Sequence, residues 1–312
     1  MNRIEERFQR LRQEGQKGFV VYIGAGDPDL DATHDLALAF DEIGVDVLDL
    51  GVPFSDPLAD GVVNQLAAQR GLDSGTTPGK LLQTVSRIRE ASGIPIVLYV
   101  YFNLLHKWGL TEFVQTAAAA GVEGLRVLEL PPEESGDYES LMAAAGLCPI
   151  YLVAPTTPPD RVELIVKRGK GFIYYVSREG VTGMQQTVSD TIGPMTQIIR
   201  QHTDIPIAVG FGISNPEQAA EVARNAEAVV LGSAIVNQIA DKGRAAGLVP
   251  TVKACTALVM MNKFSSGATG FTRSTVCCRN ERSPNSVINC FGLRSRLTGQ
   301  KRSPRPPAMM IM

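Results

Sequence analysis

The chain has 312 residues, of which 44% are hydrophobic, so it can bury a large core as one α/β barrel or as two smaller domains. Its net charge of −2 is unevenly distributed, because from Phe264 onward eight basic residues stand against Glu281 alone, and the preceding body is acidic. An acidic body argues against a main domain that binds nucleic acid, and the lack of a run of about 18 apolar residues argues against a membrane-spanning helix.

The amino terminus predicts an amphipathic helix with Ile4, Phe8 and Leu11 on one face, and it lacks the apolar core of a signal peptide. Cysteine is scarce in the body, where Cys148 is the only cysteine in the first 250 residues. One cysteine does not make a disulfide framework. We therefore expect a reducing, cytoplasmic location.

Beyond this helix, short apolar runs alternate with helix-like stretches of roughly 10 to 18 residues. Eight of these runs are predicted strands: 18–24, 45–51, 94–101, 123–130, 148–155, 171–177, 205–212 and 226–233. Each is almost continuously apolar, which is typical of strands covered on both faces. Eight β-then-α units predict a single (β/α)8 TIM barrel with an extra N-terminal helix. The alternative, a doubly wound sheet, would have about six strands and one switch point.

The last fifty residues do not follow this pattern. The segment 263–312 has neither a helical nor a strand period and is rich in Ser, Arg, Pro and Gly. Such a composition cannot bury enough apolar surface to offset the entropy lost on ordering. We expect a catalytic barrel domain over 1–262, followed by a disordered basic tail without an assigned function.

Several aspartates lie in the second predicted strand and in the loop that follows it, and two of them are candidate catalytic residues. Active sites of barrels lie at the carboxyl ends of the strands, where Asp49 and, in the following loop, Asp60 are expected. Asp46 opens the same strand and is expected at the opposite, structural end, whereas Asp56 is expected to cap a turn. A carboxylate between two leucines is costly to bury without a role, so Asp49 is the stronger catalytic candidate.

Glycine-rich turns end the last two predicted strands and indicate a phosphate site. Phe211 and Gly212 end the seventh strand, and Gly232 and Ser233 end the eighth strand and begin a helix. Loops at these positions of a barrel, together with a helix N-terminus, commonly bind phosphate. The alternative is that these turns need glycine only for their conformation. A third glycine-rich loop after the sixth strand carries Gly183, which we expect to face the same phosphate.

Other chemistries fit the sequence less well. Lys17 and Lys170 precede their strands, so no lysine is well placed for a Schiff base. The three histidines are scattered, which argues against a metal site. The residues alone therefore indicate metal-free acid–base chemistry on a phosphorylated small molecule.

Six motifs in order make the body of the chain resemble the tryptophan synthase alpha chain family: LGVPFSDPLADG, LPPEES, VAPTTP, GFIYYVSREGVTG, VGFGIS and LGSAIV. The resemblance implies a (β/α)8 barrel that cleaves indole-3-glycerol phosphate to indole and glyceraldehyde 3-phosphate. It also implies that indole passes to a beta chain in an α2β2 complex. Pyridoxal phosphate would belong to that beta chain, and no cofactor is expected in this one.

The resemblance also implies roles for individual residues. Asp60 matches the carboxylate at the indole N–H, and Tyr175 matches the tyrosine beside the reacting centre. The phosphate-binding positions match Gly183, Phe211, Gly212, Gly232 and Ser233. On the first strand, Tyr22 stands where the family usually has phenylalanine, and that role is not transferred.

The chain departs from the family at the proposed proton donor and acceptor, where Asp49 replaces glutamate. Aspartate is shorter by one methylene, or about 1.5 Å of reach. Because an error of about 1 Å in placement can cost on the order of a hundredfold in rate, two hypotheses follow. The chain is either an active lyase or a catalytically weakened subunit that binds the ligand and regulates a beta chain. A third reading is another barrel that handles phosphorylated sugars.

Overall fold

The computed structural model describes residues 1–177, 192–210 and 216–261. Its strands are β1 Gly18–Gly24, β2 Val47–Gly51, β3 Ile96–Tyr101, β4 Gly124–Leu128, β5 Cys148–Pro149, β6 Leu152–Val153, β7 Ile173–Val176, β8 Ile207–Gly210 and β9 Ala228–Leu231. The predicted tail, the Gly183 loop and the turn with Phe211 and Gly212 lie outside the described residues.

The helices follow the strands and form the outer layer, except for the first helix, which precedes β1. They are α1 Arg3–Gln13, α2 Leu30–Glu42, α3 Val62–Asp73, α4 Pro78–Ala91, α5 Phe102–Trp108, α6 Leu110–Ala120, α7 Gly136–Ala144, α8 Pro159–Arg168, α9 Ile192–Arg200, α10 Pro216–Ala223, α11 Ser233–Lys242 and α12 Leu248–Met261. A 3-10 turn at Pro132–Glu134 precedes α7.

All neighbouring strands are parallel, in the order β5-β4-β3-β2-β1-β9-β8-β7-β6. The two ends of this order, β5 and β6, are consecutive in the chain, so the sheet closes on itself. The predicted (β/α)8 barrel with an extra N-terminal helix is confirmed.

The fifth predicted strand differs from the prediction, because the run 148–155 forms two short strands instead of one. β5 pairs with β4 and β6 pairs with β7, so the chain changes neighbours between them. The backbone N–H of Ile150 still donates to the backbone oxygen of Leu125 at 2.9 Å, and the backbone N–H of Tyr174 donates to the backbone oxygen of Tyr151 at 2.9 Å. The barrel therefore closes through a single segment that bonds to β4 first and to β7 second.

The predicted N-terminal helix packs across the amino end of the barrel. Ile4, Phe8 and Leu11 of α1 are buried against interior residues of the strands, and the ring of Phe8 lies 5.7 Å from that of Phe172. The side chain of Asn2 accepts from the backbone of Ile4 at 2.9 Å and so caps α1.

Buried carboxylates tie this end of the barrel together. Glu123 accepts from Arg89 at 2.6 Å and from the backbone N–H of Ile96 at 2.7 Å. Asp46, predicted to be structural, accepts from the backbone N–H of Phe19 at 2.7 Å. The buried charged groups at the amino end of the barrel therefore connect its strands and helices to one another.

We expect Phe8→Ala to lower the free energy of unfolding by about 3–5 kcal/mol, because it opens a cavity between α1 and the barrel interior. Urea denaturation of this variant and of Gln9→Ala, which alters an exposed neighbour on the same helix, provides the measurement. Equal stability of the two variants would show that α1 is not part of the barrel core.

Candidate active site

A cavity of about 370 Å³ lies among the carboxyl ends of the strands. The residues on its wall that carry polar groups or belong to predicted motifs include Tyr22, Asp60, Asn64, Tyr99, Arg126, Tyr174, Gly232 and Ser233. The structure thus brings Asp60 from one predicted constellation and Gly232 and Ser233 from the other to the same cavity.

Asp60 is held at the cavity by two tyrosines of β3. Its Oδ1 accepts from the hydroxyl of Tyr99 at 2.9 Å, and its Oδ2 accepts from the hydroxyl of Tyr101 at 2.9 Å. The backbone N–H of Ala59 donates to the Tyr101 hydroxyl at 3.1 Å, which fixes that ring. Burial raises the pKa of Asp60, and the hydrogen bonds from the two tyrosines oppose that rise.

Asp49 lies on the interior face of β2, beside Tyr22 of β1 and Val97 of β3 in the strand register. It is completely buried, and its Oδ2 accepts from Nη2 of Arg126 in an ion pair. Burial raises the pKa of Asp49, while the guanidinium of Arg126 opposes the rise. Asp49 does not line the cavity, whereas Arg126 does. The cation is therefore the member of this pair that borders the space for a ligand.

Arg126, which the sequence analysis missed, is the central group of the site. It projects from β4, is 5% exposed, and its guanidinium lies 4.1 Å from the ring centre of Tyr99 and 4.3 Å from that of Tyr174. Burial tends to lower the pKa of Arg126, but Asp49 together with Tyr174 and Tyr99 outweighs that effect and the pKa is raised, so the group stays cationic. An arginine inside the apolar run 123–130 was the signal that could have identified it, since the same argument selected Asp49.

The position of Tyr175 does not support the catalytic role expected for it. On β7, Tyr174 and Val176 line the cavity, whereas Tyr175 is fully buried and does not. Neighbouring side chains of a strand point to opposite faces, so Tyr175 lies on the face toward the helices and Tyr174 on the interior face. Tyr174 is therefore the tyrosine that this strand presents to a ligand.

The turn that the sequence predicts to bind phosphate lies at the start of α11. Gly232 is the residue before the helix and Ser233 is its first residue, and both border the cavity. Gly232 has no side chain that could cap the helix, so the N–H groups of the first residues of α11 can meet an anion.

Tyr22 completes the wall next to the buried ion pair. Its ring meets that of Tyr99 edge to face at 5.7 Å. A Cβ atom at Gly51 would lie 2.4 Å from the Tyr22 hydroxyl, so glycine is needed at position 51 for this ring to fit. Burial, with the charges of Asp60 and Asp49, raises the pKa of Tyr22 well above its usual value and keeps the hydroxyl neutral.

Within residues 1–177, 192–210 and 216–261, no three His, Cys, Asp or Glu side chains come together as a metal site. Among the helices that the structure describes, none combines the length and the apolar character needed to cross a bilayer.

Comparison with known proteins places this arrangement in a family. The sequence model described as "Tryptophan synthase alpha chain" matches residues 8–263. The alpha chain of Opitutus terrae is 50% identical over 241 residues, which are 77% of this chain and 91% of that protein. That of a Geobacter species is 46% identical over 236 residues, covering 76% and 88%.

Solved structures agree with the sequence relatives. The alpha chain of Legionella pneumophila superposes with a TM-score of 0.78 at 32% identity, covering 86% of this chain and 100% of that one. A chain of Mycobacterium tuberculosis tryptophan synthase superposes with a TM-score of 0.77 at 31% identity, covering 84% and 98%.

Replacing the two hydroxyls that bond to Asp60, in the double variant Tyr99→Phe/Tyr101→Phe, should raise the pKa of Asp60 further. Hydrogen bonds to a carboxylate favour its charged form, so their loss favours protonation while the rings stay in place. Carbon-13 NMR titration of the Asp60 carboxyl measures the shift. Tyr138→Phe, whose hydroxyl donates elsewhere, to the backbone oxygen of Leu125, is the control. An unchanged Asp60 pKa in the double variant would contradict the prediction.

Proposed function

Because the chain belongs to the tryptophan synthase alpha chain family, whose members cleave indole-3-glycerol phosphate to indole and glyceraldehyde 3-phosphate and pass indole to a beta chain, we propose that it turns over this substrate in the cavity described above. The observation that carries the proposal is that one cavity joins Asp60 to the turn at Gly232 and Ser233.

The substrate lies with its phosphate at the start of α11 and its indole N–H toward Asp60. Free N–H groups and the dipole of α11 favour the phosphate, and Ser233 adds a hydroxyl donor. Gly183, Phe211 and Gly212 belong to the same phosphate site in this proposal, on the family resemblance.

The reaction is a retro-aldol cleavage. The bond between the indole ring carbon and the hydroxyl-bearing glycerol carbon breaks. The hydroxyl loses its proton as the aldehyde forms, and the ring carbon gains a proton as indole is released. In this proposal Asp49 delivers a proton to the ring carbon and takes up the proton of the hydroxyl, and Asp60 holds the indole N–H.

Proton transfer by Asp49 requires contact with the substrate or one bridging water. Arg126 borders the cavity and Asp49 does not. A side-chain shift or a water must therefore connect Asp49 to the substrate during the reaction. Tyr174 takes the place beside the reacting centre that Tyr175 was expected to occupy.

The burial of Asp49 also favours a second candidate function. A carboxylate that is both one methylene short and paired with Arg126 is poorly placed to move a proton quickly. In this candidate the chain holds the phosphorylated ligand and regulates a beta chain while turning over slowly.

A beta chain is the proposed partner, in an α2β2 complex that supplies the pyridoxal phosphate, and no cofactor is proposed for this chain. Leu58, Val62 and Leu66 are 84%, 55% and 54% exposed at spacings of four residues beside the cavity mouth. This apolar stripe, formed by the loop after β2 and the start of α3, is suited to a protein interface. We place the reaction in the cytoplasm and assign it to a barrel domain over 1–262.

We expect Asp60→Asn to lower kcat/KM for indole release from indole-3-glycerol phosphate by about 10²–10⁴-fold, because the amide keeps the shape but loses the charge. The assay uses the full chain with and without a beta chain. Asp56→Asn, which changes a carboxylate in the preceding turn bonded to Ser55, is the matched control. Equal loss in both variants would show that the cavity is not the site of cleavage.

Two variants at position 49 separate the two candidate functions. If Asp49 carries the proton, Asp49→Asn abolishes indole release, and Asp49→Glu leaves the wild-type rate nearly unchanged. A rise of about a hundredfold in Asp49→Glu, the gain expected when a misplacement of about 1 Å is corrected, supports the weakened subunit instead. Binding of indole propanol phosphate by all three proteins confirms that the cavity is intact.

A further inference from the structure

Arg126 has more hydrogen-bonding capacity than its protein partners use. It is 5% exposed and donates to Asp49 through Nη2, while its Nε–H has no partner among the described residues. A guanidinium has five N–H donors, and buried donors are almost always satisfied. Because Arg126 borders the cavity, an acceptor on a ligand is the natural partner for its remaining donors.

The plane of this guanidinium is fixed before any ligand binds. Tyr99 and Tyr174 lie over it at 4.1 Å and 4.3 Å, and Asp49 holds one edge. A group held in this way loses little conformational entropy when it donates to a ligand. Arg126 is therefore suited to discriminate between ligands. Because its orientation is fixed, a ligand that lacks an acceptor leaves its remaining donors unsatisfied.

A second polar group without a complete set of partners borders the same cavity. The Oδ1 atom of Asn64 has no hydrogen-bond partner in the part of the chain that the structure describes. Its Nδ2 atom donates to Asp60 over 3.5 Å, which is long for a hydrogen bond. The cavity thus offers a donor at Arg126 and an acceptor at Asn64. An unsubstituted indole ring has one hydrogen-bonding group, its N–H, which can use a single acceptor and leaves the donor at Arg126 without a partner.

The charges around the cavity favour a neutral acceptor over an anionic one. Asp49 balances the charge of Arg126, and Asp60 adds a further carboxylate. A ligand carboxylate at this end would meet a site that is neutral or negative. A hydroxyl or carbonyl oxygen can accept from Arg126 without that repulsion, and a hydroxyl can also donate.

We propose that the cavity prefers a phosphorylated ligand whose ring carries a hydroxyl or another neutral hydrogen-bond acceptor, and that Arg126 is the residue that selects it. The inference rests on the proposed function, since it takes the phosphate to lie at Gly232 and Ser233 and the ring at the opposite end. Arg126 contacts the ligand directly, and Asp49 positions Arg126.

Binding of indole propanol phosphate and of its ring-hydroxylated derivatives, one for each ring position, tests the preference by titration calorimetry on the full chain. We expect at least one hydroxylated probe to bind about tenfold more tightly than the unsubstituted one, the gain typical of a hydrogen bond to a charged donor. In Arg126→Met the unsubstituted probe and the hydroxylated probe that the wild-type chain prefers should bind equally, and in Arg126→Lys part of the preference should remain.

Controls keep the outcomes distinct. Arg161→Met alters an exposed arginine paired with Glu133 outside the cavity and should retain the full preference. If Arg126→Met does not fold because Asp49 is left without a counter-charge, Arg126→Met/Asp49→Asn removes both charges and should still lose the preference.

The inference alone is overturned if the wild-type chain binds every hydroxylated probe no more tightly than the unsubstituted one, or if the preference survives removal of Arg126. If no probe binds, the proposed function fails as well, because the phosphate site is then not where Gly232 and Ser233 place it.

Discussion

The ion pair between Asp49 and Arg126 is the constraint on which the carboxyl end of the barrel depends. Both side chains are almost completely buried, and neither could be placed there alone without a large desolvation cost. Removing one partner of such a pair typically costs about 3–5 kcal/mol, because the other charge is left uncompensated. The residues at 49 and 126 therefore act as one unit, and the rings of Tyr99 and Tyr174 enclose it.

The two carboxylates of the site have different surroundings, which separates their chemical roles. Asp60 borders the cavity and is held by the neutral hydroxyls of Tyr99 and Tyr101, whereas Asp49 is held by a cation and is covered. Burial raises the pKa of both, but the opposing influence is hydrogen bonding at Asp60 and charge at Asp49. Asp60 can meet a ligand without rearrangement, whereas Asp49 can reach it only after a side-chain shift or through a water.

Periodicity predicted the barrel well and the site only in part. Eight apolar runs alternating with helical stretches were enough for the fold, because strand burial on both faces dictates composition. The same property hid which residues face inward: Tyr174 and Tyr175 are adjacent and aromatic, and a shift of one residue exchanges the two faces. The pairing of Asp49 with Arg126 joins residues 77 positions apart, so no local pattern could reveal it.

The two ends of the cavity are formed by different kinds of group, backbone at one end and side chains at the other. This difference determines which end a substitution can alter. The proposed phosphate end consists mainly of backbone N–H groups at the start of α11, next to Gly232, whose geometry follows from the turn more than from side-chain identity. The ring end consists of side chains, namely Tyr22, Tyr99, Arg126 and Tyr174, which substitutions alter directly. A barrel of this kind can keep its hold on a phosphate while the group at the other end changes. The polar ring end of this chain is therefore compatible with an intact phosphate site, and the identity of the ring is decided by the side chains around Arg126.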